Sequence, residues 1–569
     1  MNSRSWISSK QSIPCSAVRL IVGACAGQTG ICSRHGSPDT VSIILCTNGD
    51  AVATAWTGVW IAVTGTQSKL PEANRLTDGG RVLERAFDAC RDMWWALSAE
   101  LARGKGGYLS HAATCAPYAS DFGLMLAWRR VVADLTAGPE TVLVLCDDPW
   151  VFRALSCLPN VLARKAPRRW LPTLAIWLRG WLAGLRVGLR VVTASLRHRS
   201  IRMTESGTVS LIVYGHPDSN PDHDAYFGKL LTQIPGLKRI VHTDDFRAVE
   251  RLAKDGRTES FHAYGNLLYA LFVIPFMKWR SCSVHQDKSI DWLIMRALIR
   301  EAGGGAAAMS AWQIHCQERW LKFRRPHCIA WPWENHPWER ALVRAARRLG
   351  VSTVGYQHTD AGPHQFNMSP RATPNGVADL PDHLLLNGPA YRSQFIDWGI
   401  PPDRMAVAGA FRLPAAPVCR YGANGPVFVA LSSSPDVSRE MMAAVYDTEG
   451  ASRKFLVKSH PMYPFQIVES SSVISTKTRF ADTVGVSALF YGTGTSGIEG
   501  MLAGVPTYRL LPSDRVGIET MPDGLRARTV TRQGLRAALD EAVEPPKIDV
   551  SKFFTPVDIE VWRRHLSAS

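Results

Sequence analysis

Runs of four to six uncharged, mostly apolar residues recur along this chain, and each stops at a cluster of glycine, hydroxyl or acidic residues. Residues 141–146 (TVLVLC), 427–431 (VFVAL) and 487–491 (SALFY) put apolar side chains on both faces of an extended strand. Such strands are buried on both sides, which happens almost only in parallel sheets covered by helices. Segments of helical spacing lie between the runs, at 84–102, 337–349 and 390–399. The alternation predicts an α/β protein built on parallel sheets. At 569 residues, the chain is long enough for two sizeable domains, or three.

In sheets of this kind, ligands bind beyond the C-terminal ends of the strands. The richest such tip is residues 491–506, YGTGTSGIEGMLAGVP. It reads as a strand end, a glycine and hydroxyl turn from Gly492 to Gly497, a short helix at 498–502, and a Gly-Val-Pro stop. Glycines admit a ligand close to the backbone, and amides at a helix start favour an anion. Thr493, Thr495 and Ser496 add hydroxyl donors. A phosphate is the natural guest. A second tip reads Phe455-Leu-Val-Lys458-Ser-His460-Pro461. Lysine and histidine there can hold and protonate a leaving phosphate. Ser432 and Ser433 close the 427–431 strand.

Gly492, Gly494 and Gly497 also spell the dinucleotide-binding fingerprint, and Asp514 follows near the distance of a ribose-binding acid. An NAD-dependent oxidoreductase is therefore a rival reading. Against it, that fingerprint opens a doubly wound domain, whereas this one closes one. Upstream, the strand at 327–331 runs into Pro332-Trp-Glu334, and the strand at 351–358 ends on His358. Glu334 can serve as a base, a ligand for a sugar hydroxyl, or a helix cap. Asp147, Asp148, Asp218 and Asp224 stand at other strand or loop ends, where capping is their ordinary use.

The order of Lys458-x-His460-Pro461, the Gly/Ser/Thr turn, its helix and Gly504-x-Pro506 resembles the C-terminal half of bacterial GT-B glycosyltransferases of surface-carbohydrate synthesis. The nearest groups are sialyltransferase-like and Kdo-transferase-like enzymes, which use CMP-sugars, and CDP-glycerol glycerophosphotransferases. The resemblance implies that His460 contacts the donor phosphate and assists its departure, and that Thr495 and Ser496 cradle it. Lys458, Ser432, Ser433, Gly492, Thr493, Gly494 and Glu499 complete the donor-binding set. The segments WENHPWERAL and GYQHT are similar to the acceptor-domain pattern. They add Glu334 and His358 to His460 as catalytic candidates.

The implied fold is α/β of GT-B type, with two Rossmann-like domains facing a cleft. Residues 41–413 form the acceptor-side domain, with a basic insertion at 150–204. Residues 414–426 are the linker, 427–545 the nucleotide-sugar-binding domain, and 546–569 a terminal helix crossing back to the first. Residues 1–40 show no pattern and read as a poorly ordered arm. The expected activity is transfer of a sugar, such as a CMP-activated ulosonic acid, to a surface polysaccharide or lipid-linked glycan. The nucleotide-sugar donor is a co-substrate, and no other cofactor is expected. No metal is expected either, because a helix start and basic groups can replace one. A glycerophosphotransferase and a non-catalytic membrane-associated assembly protein are the remaining alternatives.

The net charge is +16, which invites an anionic partner. From Pro149 to Thr204 there is no acidic residue, yet there are eleven arginines and lysines. Plotted as a helix, Arg179, Arg186, Arg190 and Arg197 form one stripe. Trp170, Leu174, Trp177, Trp181, Leu185 and Val192 lie opposite. A membrane span would bury three of these arginines at high cost, although Gly180, Gly184 and Gly188 at four-residue spacing suggest helix–helix contact. An internal amphipathic helix packed on the domain is a further alternative. An interfacial helix on anionic lipid fits best, with its basic face on the headgroups and tryptophans at the boundary. That places the protein in the cytoplasm, peripheral on the inner membrane. No nucleic-acid motif accompanies the charge. The apolar stretch at 266–277 is too short to span and reads as core or as a second lipid-facing patch. Residues 303–308 (GGGAAA) read as a flexible joint. Twelve cysteines without a Cys-x-x-Cys pair argue against a zinc site or a disulfide framework.

Overall fold

Three wholly parallel sheets organise the chain. The structure is a computed structural model describing residues 41–66, 68–202, 209–277, 287–412, 419–450, 453–461, 463–541 and 543–567. The expected arm at 1–40 and the first part of the 414–426 linker lie outside the described residues.

The first sheet holds β1 (Ile43–Cys46), β2 (Trp60–Ala62), β3 (Val142–Leu145) and β4 (Val161–Ala163) in the order β2-β3-β1-β4. The second holds β5 (Ser210–Val213), β6 (Lys238–Val241), β7 (Thr258–Ser260), β8 (Cys328–Pro332), β9 (Ser352–Tyr356), β10 (His383–Leu386) and β11 (Met405–Val407). Its order is β11-β10-β9-β8-β5-β6-β7. The third holds β12 (Val427–Ala430), β13 (Phe455–Lys458), β14 (Val473–Ser475), β15 (Ala488–Tyr491), β16 (Thr507–Leu510) and β17 (Arg528–Val530), ordered β14-β13-β12-β15-β16-β17. Buried apolar runs therefore become central strands, as their composition requires.

The α/β class and the paired Rossmann-like sheets agree with the expectation, but residues 41–413 carry two sheets, not one. The basic helix spans Trp170–His198 and connects the first sheet to the second, so it is no insertion within a single domain. The segment 84–102 is likewise two helices, Gly79–Ala89 and Arg91–Arg103, meeting at Cys90.

Asp148 caps the helix Pro149–Ser156, accepting from the amides of Trp150 and Val151. Its other oxygen binds Arg296 at 2.7 Å, and Arg296 also grips Asp121 at 2.9 Å. This buried group clamps the helix Lys288–Ala302 onto the first sheet.

The glycines expected to form a joint at 303–308 are packing devices instead. A Cβ on Gly303 would fall 2.4 Å from Ile176 Cγ2, and one on Gly305 would fall 2.9 Å from Val187 Cγ2, both on the long helix. The terminal helix Ile559–Leu566 crosses back to the second sheet. There the fully buried Trp562 packs on Tyr356, Phe411 and Phe227 at ring distances of 5.2, 5.4 and 5.8 Å.

Candidate active site

Both larger sheets contain a switch point. In the second, the chain runs outward from β5 to β6 and β7, then returns to set β8 on the other flank of β5. In the third, it runs from β12 to β13 and β14, then sets β15 on the other flank of β12. Loops leaving the two central strands part at such a point and open a crevice beyond the strand ends. Glu334 stands at the first crevice. Ser432 and the Gly492–Thr493 turn stand at the second.

Glu334 owes its position to the turn that follows it. Asn335 adopts a left-handed backbone with φ 56°, a conformation asparagine tolerates better than most residues. The helix Pro337–Arg348 starts after His336, so Glu334 is not its cap. Glu339 anchors the loop instead. Its carboxylate accepts from the amides of Glu334, Asn335 and His336 at 3.0, 2.9 and 3.1 Å, and from Trp331 Nε1 at 2.8 Å.

The Glu334 side chain keeps 41% of its surface exposed and is flanked by two imidazoles. His336 Nε2 donates to Oε2 at 2.6 Å, and His358 Nε2 lies 3.4 Å from Oε1. Burial in the crevice acts to raise the Glu334 pKa. Hydrogen bonds and charge from both histidines outweigh it and hold the carboxyl well below the usual range. For His336, burial acts to lower the pKa and Glu334 raises it, with a net rise.

His358 lies behind this carboxylate. Its side chain is 6% exposed, its ring meets Tyr226 edge-on at 5.3 Å, and its Nδ1 has no hydrogen-bond partner. Of the two acceptor-side candidates, only Glu334 opens to the crevice. Asp224 instead holds its own loop, accepting from the amides of Tyr226 and Phe227.

In the third sheet, Ala430 pairs with Lys458 on one side and Tyr491 on the other. Ser432, His460 and Thr493 thus stand two residues beyond a common level on three adjacent strands. With neighbouring strands ~4.8 Å apart, the outer two tips are separated by about 10 Å. Ser432 Oγ and Thr493 Oγ1 share a hydrogen bond of 2.8 Å across the crevice. Ser433, on the same tip, is half-buried.

The glycines have separate reasons. A Cβ on Gly492 would meet Ser432 Cβ at 2.9 Å, one on Gly497 would meet Tyr491 Cζ at 2.4 Å, and Gly494 has φ 113°. Thr495 precedes the helix Ser496–Leu502 and makes no side-chain cap bond.

His460 packs against Tyr463 with ring centres 5.4 Å apart, and burial lowers its pKa. Lys458 is depressed by burial and by Arg479, against the pull of Glu499 and Asp482. Glu499 is pushed up to about 7, first by burial and then by Asp360.

Asp360 belongs to the other half, two residues beyond His358, so this interaction joins the two crevices. Arg479, ion-paired to Asp482, likewise feels Asp218 across the gap. Asp360 is 3% exposed. One oxygen accepts from Thr359 Oγ1 at 2.7 Å and the other has no hydrogen-bond partner. The hydroxyls of Tyr391 and Tyr491 also have none, and both sense the Asp360 charge. Tyr118, from the first sheet's unit, is 47% exposed and senses Asp360, Glu519 and Glu334. A Cβ on Gly362 would fall 2.4 Å from the Thr520 carbonyl carbon, so backbone touches backbone where the halves meet.

The structure thus brings together Glu334 with His358, Ser432 with Thr493, and Lys458 with Glu499. His336, Asp360, Tyr118 and Arg479 were not singled out from sequence. His336 and Asp360 each lie two residues beyond a chosen residue at a strand tip, a position that could have marked them. Tyr118 carries no such signal. Among the described residues, no cluster of three or more His, Cys, Asp or Glu is arranged to hold a metal ion. No helix among them is long and apolar enough to cross a membrane.

No protein-family model matches the chain, and no curated protein matches it in sequence. Among solved structures, it is similar to UDP-GlcNAc 2-epimerase from Methanocaldococcus jannaschii, at 9% identity and a TM-score of 0.36 over 64% of this chain and all of that one. It is also similar to the lipopolysaccharide outer core galactosyltransferase WaaB, at 11% identity and 0.33 over 63% and 99%. A third is Anabaena Alr3699/HepE in complex with UDP-glucose, at 11% identity and 0.34 over 63% and 98%. Likenesses this distant fix neither ligand nor chemistry.

Proposed function

We propose that this protein is a glycosyltransferase that moves a sugar from a nucleotide donor to an acceptor hydroxyl. The observation that carries the reading is the facing of two switch points. One presents an ionised carboxylate, Glu334, and the other presents hydroxyls and cations around a glycine turn. Donor phosphate binds on the third sheet, against Lys458, His460 and the Thr493–Ser496 turn. Lys458 offsets the charge of the leaving phosphate, and His460 offers it a hydrogen-bond donor. Glu334 takes the acceptor proton; its two imidazoles keep it ionised beforehand, at some cost in basicity. Positioning across the cleft supplies most of the remaining acceleration. The Lys-x-His-Pro tip supports a CMP-activated ulosonic acid as donor, with CDP-glycerol as the alternative. A surface or lipid-linked glycan is the acceptor class, and the cytoplasmic face of the membrane is the site.

The test is a donor-consumption assay with a panel of nucleotide-sugars. Glu334→Gln is expected to lower kcat ~10²–10⁴-fold with little change in nucleotide affinity. His460→Ala is expected to weaken both. Unchanged turnover in Glu334→Gln refutes the acceptor-side assignment.

A further inference from the structure

The helix Trp170–His198 has three faces, and the one turned inward is made of small residues. Gly180, Gly184 and Gly188 lie buried along it, with Val187, Val191 and Ala194. Added Cβ atoms on the three glycines would strike the carbonyl oxygens of Ala302, Pro275 and Ala270 at 2.0, 2.9 and 2.9 Å. The glycine seam therefore binds the helix to the protein's own backbone. A second strip carries the arginines. Two of these are spent internally, Arg179 on the Gly303 carbonyl at 3.0 Å and Arg190 on Asp244.

The third face is apolar and uncovered. Leu178, Trp181 and Leu182 are 46, 42 and 48% exposed. The segment held against the glycine seam continues this surface with Leu268, Phe272 and Phe276, exposed by 65, 68 and 66%. Fifteen of the 27 exposed large hydrophobic side chains among the described residues belong to these two segments. With ~150–250 Å² per large side chain at about half exposure, the patch reaches on the order of 10³ Å². The largest patch on a typical soluble monomer is only ~300–600 Å².

What covers this surface is indicated by charge. Lys165, Arg168, Arg186, Arg197 and Arg199 are exposed around it and have no carboxylate partner among the described residues. An apolar surface edged by unpaired cations, on a helix ~43 Å long, matches an anionic lipid surface better than a protein groove.

We infer that the Trp170–His198 helix and the 267–276 segment together form a membrane-docking face. Leucine, tryptophan and phenylalanine side chains enter the acyl boundary, and the arginines at the edge meet anionic headgroups. This deepens the membrane placement in the proposed function and reverses the sequence expectation in one respect. The apolar flank makes first contact, and half of the arginine stripe is tied to the protein itself.

Co-sedimentation of the full chain with phosphatidylcholine vesicles, alone or with one-quarter phosphatidylglycerol, tests it. Wild type is expected to bind the anionic vesicles at least tenfold more tightly. Leu178→Glu/Leu182→Glu and Phe272→Ser/Phe276→Ser should each lose binding tenfold or more, with an unchanged melting temperature. Arg186→Glu/Arg197→Glu should lose the preference for anionic lipid. Glu334→Gln should bind vesicles as wild type does, so failure of the catalytic reading and failure of docking are read separately. Wild type that ignores both vesicles overturns the inference. So does a wild-type dimer that the leucine variants make monomeric, which would assign the face to a second copy.

Discussion

Glu334→Gln has a consequence for stability that can be measured without a substrate. The substitution keeps shape and removes the charge that His336 and His358 hold at 2.6 and 3.4 Å. Breaking a buried pair costs ~3–5 kcal/mol, whereas exposed pairs contribute ~0–1 kcal/mol. With 41% of the Glu334 side chain exposed, screening discounts the larger figure to ~1–2 kcal/mol. For a unit of about 200 residues that corresponds to a fall of ~2–8 °C in melting temperature. The pH dependence has a defined sign. Glu334 is depressed, so its contribution is present above its unfolded value near 4.5 and is lost as pH falls through the folded value. His336 is raised, so its contribution is present below 6.5 and is lost as pH rises through the folded value. The gap in melting temperature between wild type and variant should therefore be widest between about pH 4.5 and 6.5 and shrink on both sides. Melting by circular dichroism from pH 4 to 9 measures it. A gap that is flat across that range, or one that grows above pH 7, refutes the ion-pair account of this carboxylate.

Other perturbations have equally definite outcomes. Glu499 is raised to about 7, so the folded form loses stability as its carboxyl ionises between its unfolded value and pH 8. Glu499→Gln should then be more stable than wild type at pH 8, by ~1–3 kcal/mol, and equal to it near pH 4.5 in the same melts. Gly497→Ala forces a Cβ to within 2.4 Å of the Tyr491 ring. A loss of ~1–3 kcal/mol and of nucleotide-dependent stabilisation is expected by thermal shift. Arg296→Ala strands Asp148 and Asp121 and should cost ~3–5 kcal/mol, read from denaturant unfolding. Trp562→Ala removes the terminal helix's anchor and should cost ~3–5 kcal/mol while making residues near the C-terminus susceptible to limited proteolysis.

The central strands are legible because they are buried on both faces, and composition reports burial directly. The three-residue strands Val161–Ala163, Thr258–Ser260 and Val473–Ser475 escape, since so short a run carries no period. With neither β2 nor β4 read as a strand, the first sheet goes unrecognised, and residues 41–413 read as one unit. The helix Trp170–His198 is legible as a helix, and the spacing of Gly180, Gly184 and Gly188 marks a contact face, but not which backbone that face meets. Hydropathy weights tryptophan and leucine, whereas packing here selects glycines that let carbonyls approach. In the crevice, strand-tip position draws attention to residues 334 and 358, yet it cannot show that His336 folds back onto Glu334. The link from Glu499 to Asp360 depends on how two sheets face each other, and no local pattern encodes that.

The proposed function requires a nucleotide phosphate seated at the tips of β12, β13 and β15. Thermal shift of wild type, His460→Ala and Glu334→Gln with CMP, CDP, UDP, GDP and NAD tests it most directly. At least one nucleoside phosphate should raise the wild-type melting temperature, increasingly as its concentration passes the dissociation constant. Glu334→Gln should keep that response, and His460→Ala should lose most of it. Stabilisation by NAD alone, or a nucleotide response that His460→Ala leaves untouched, would contradict it.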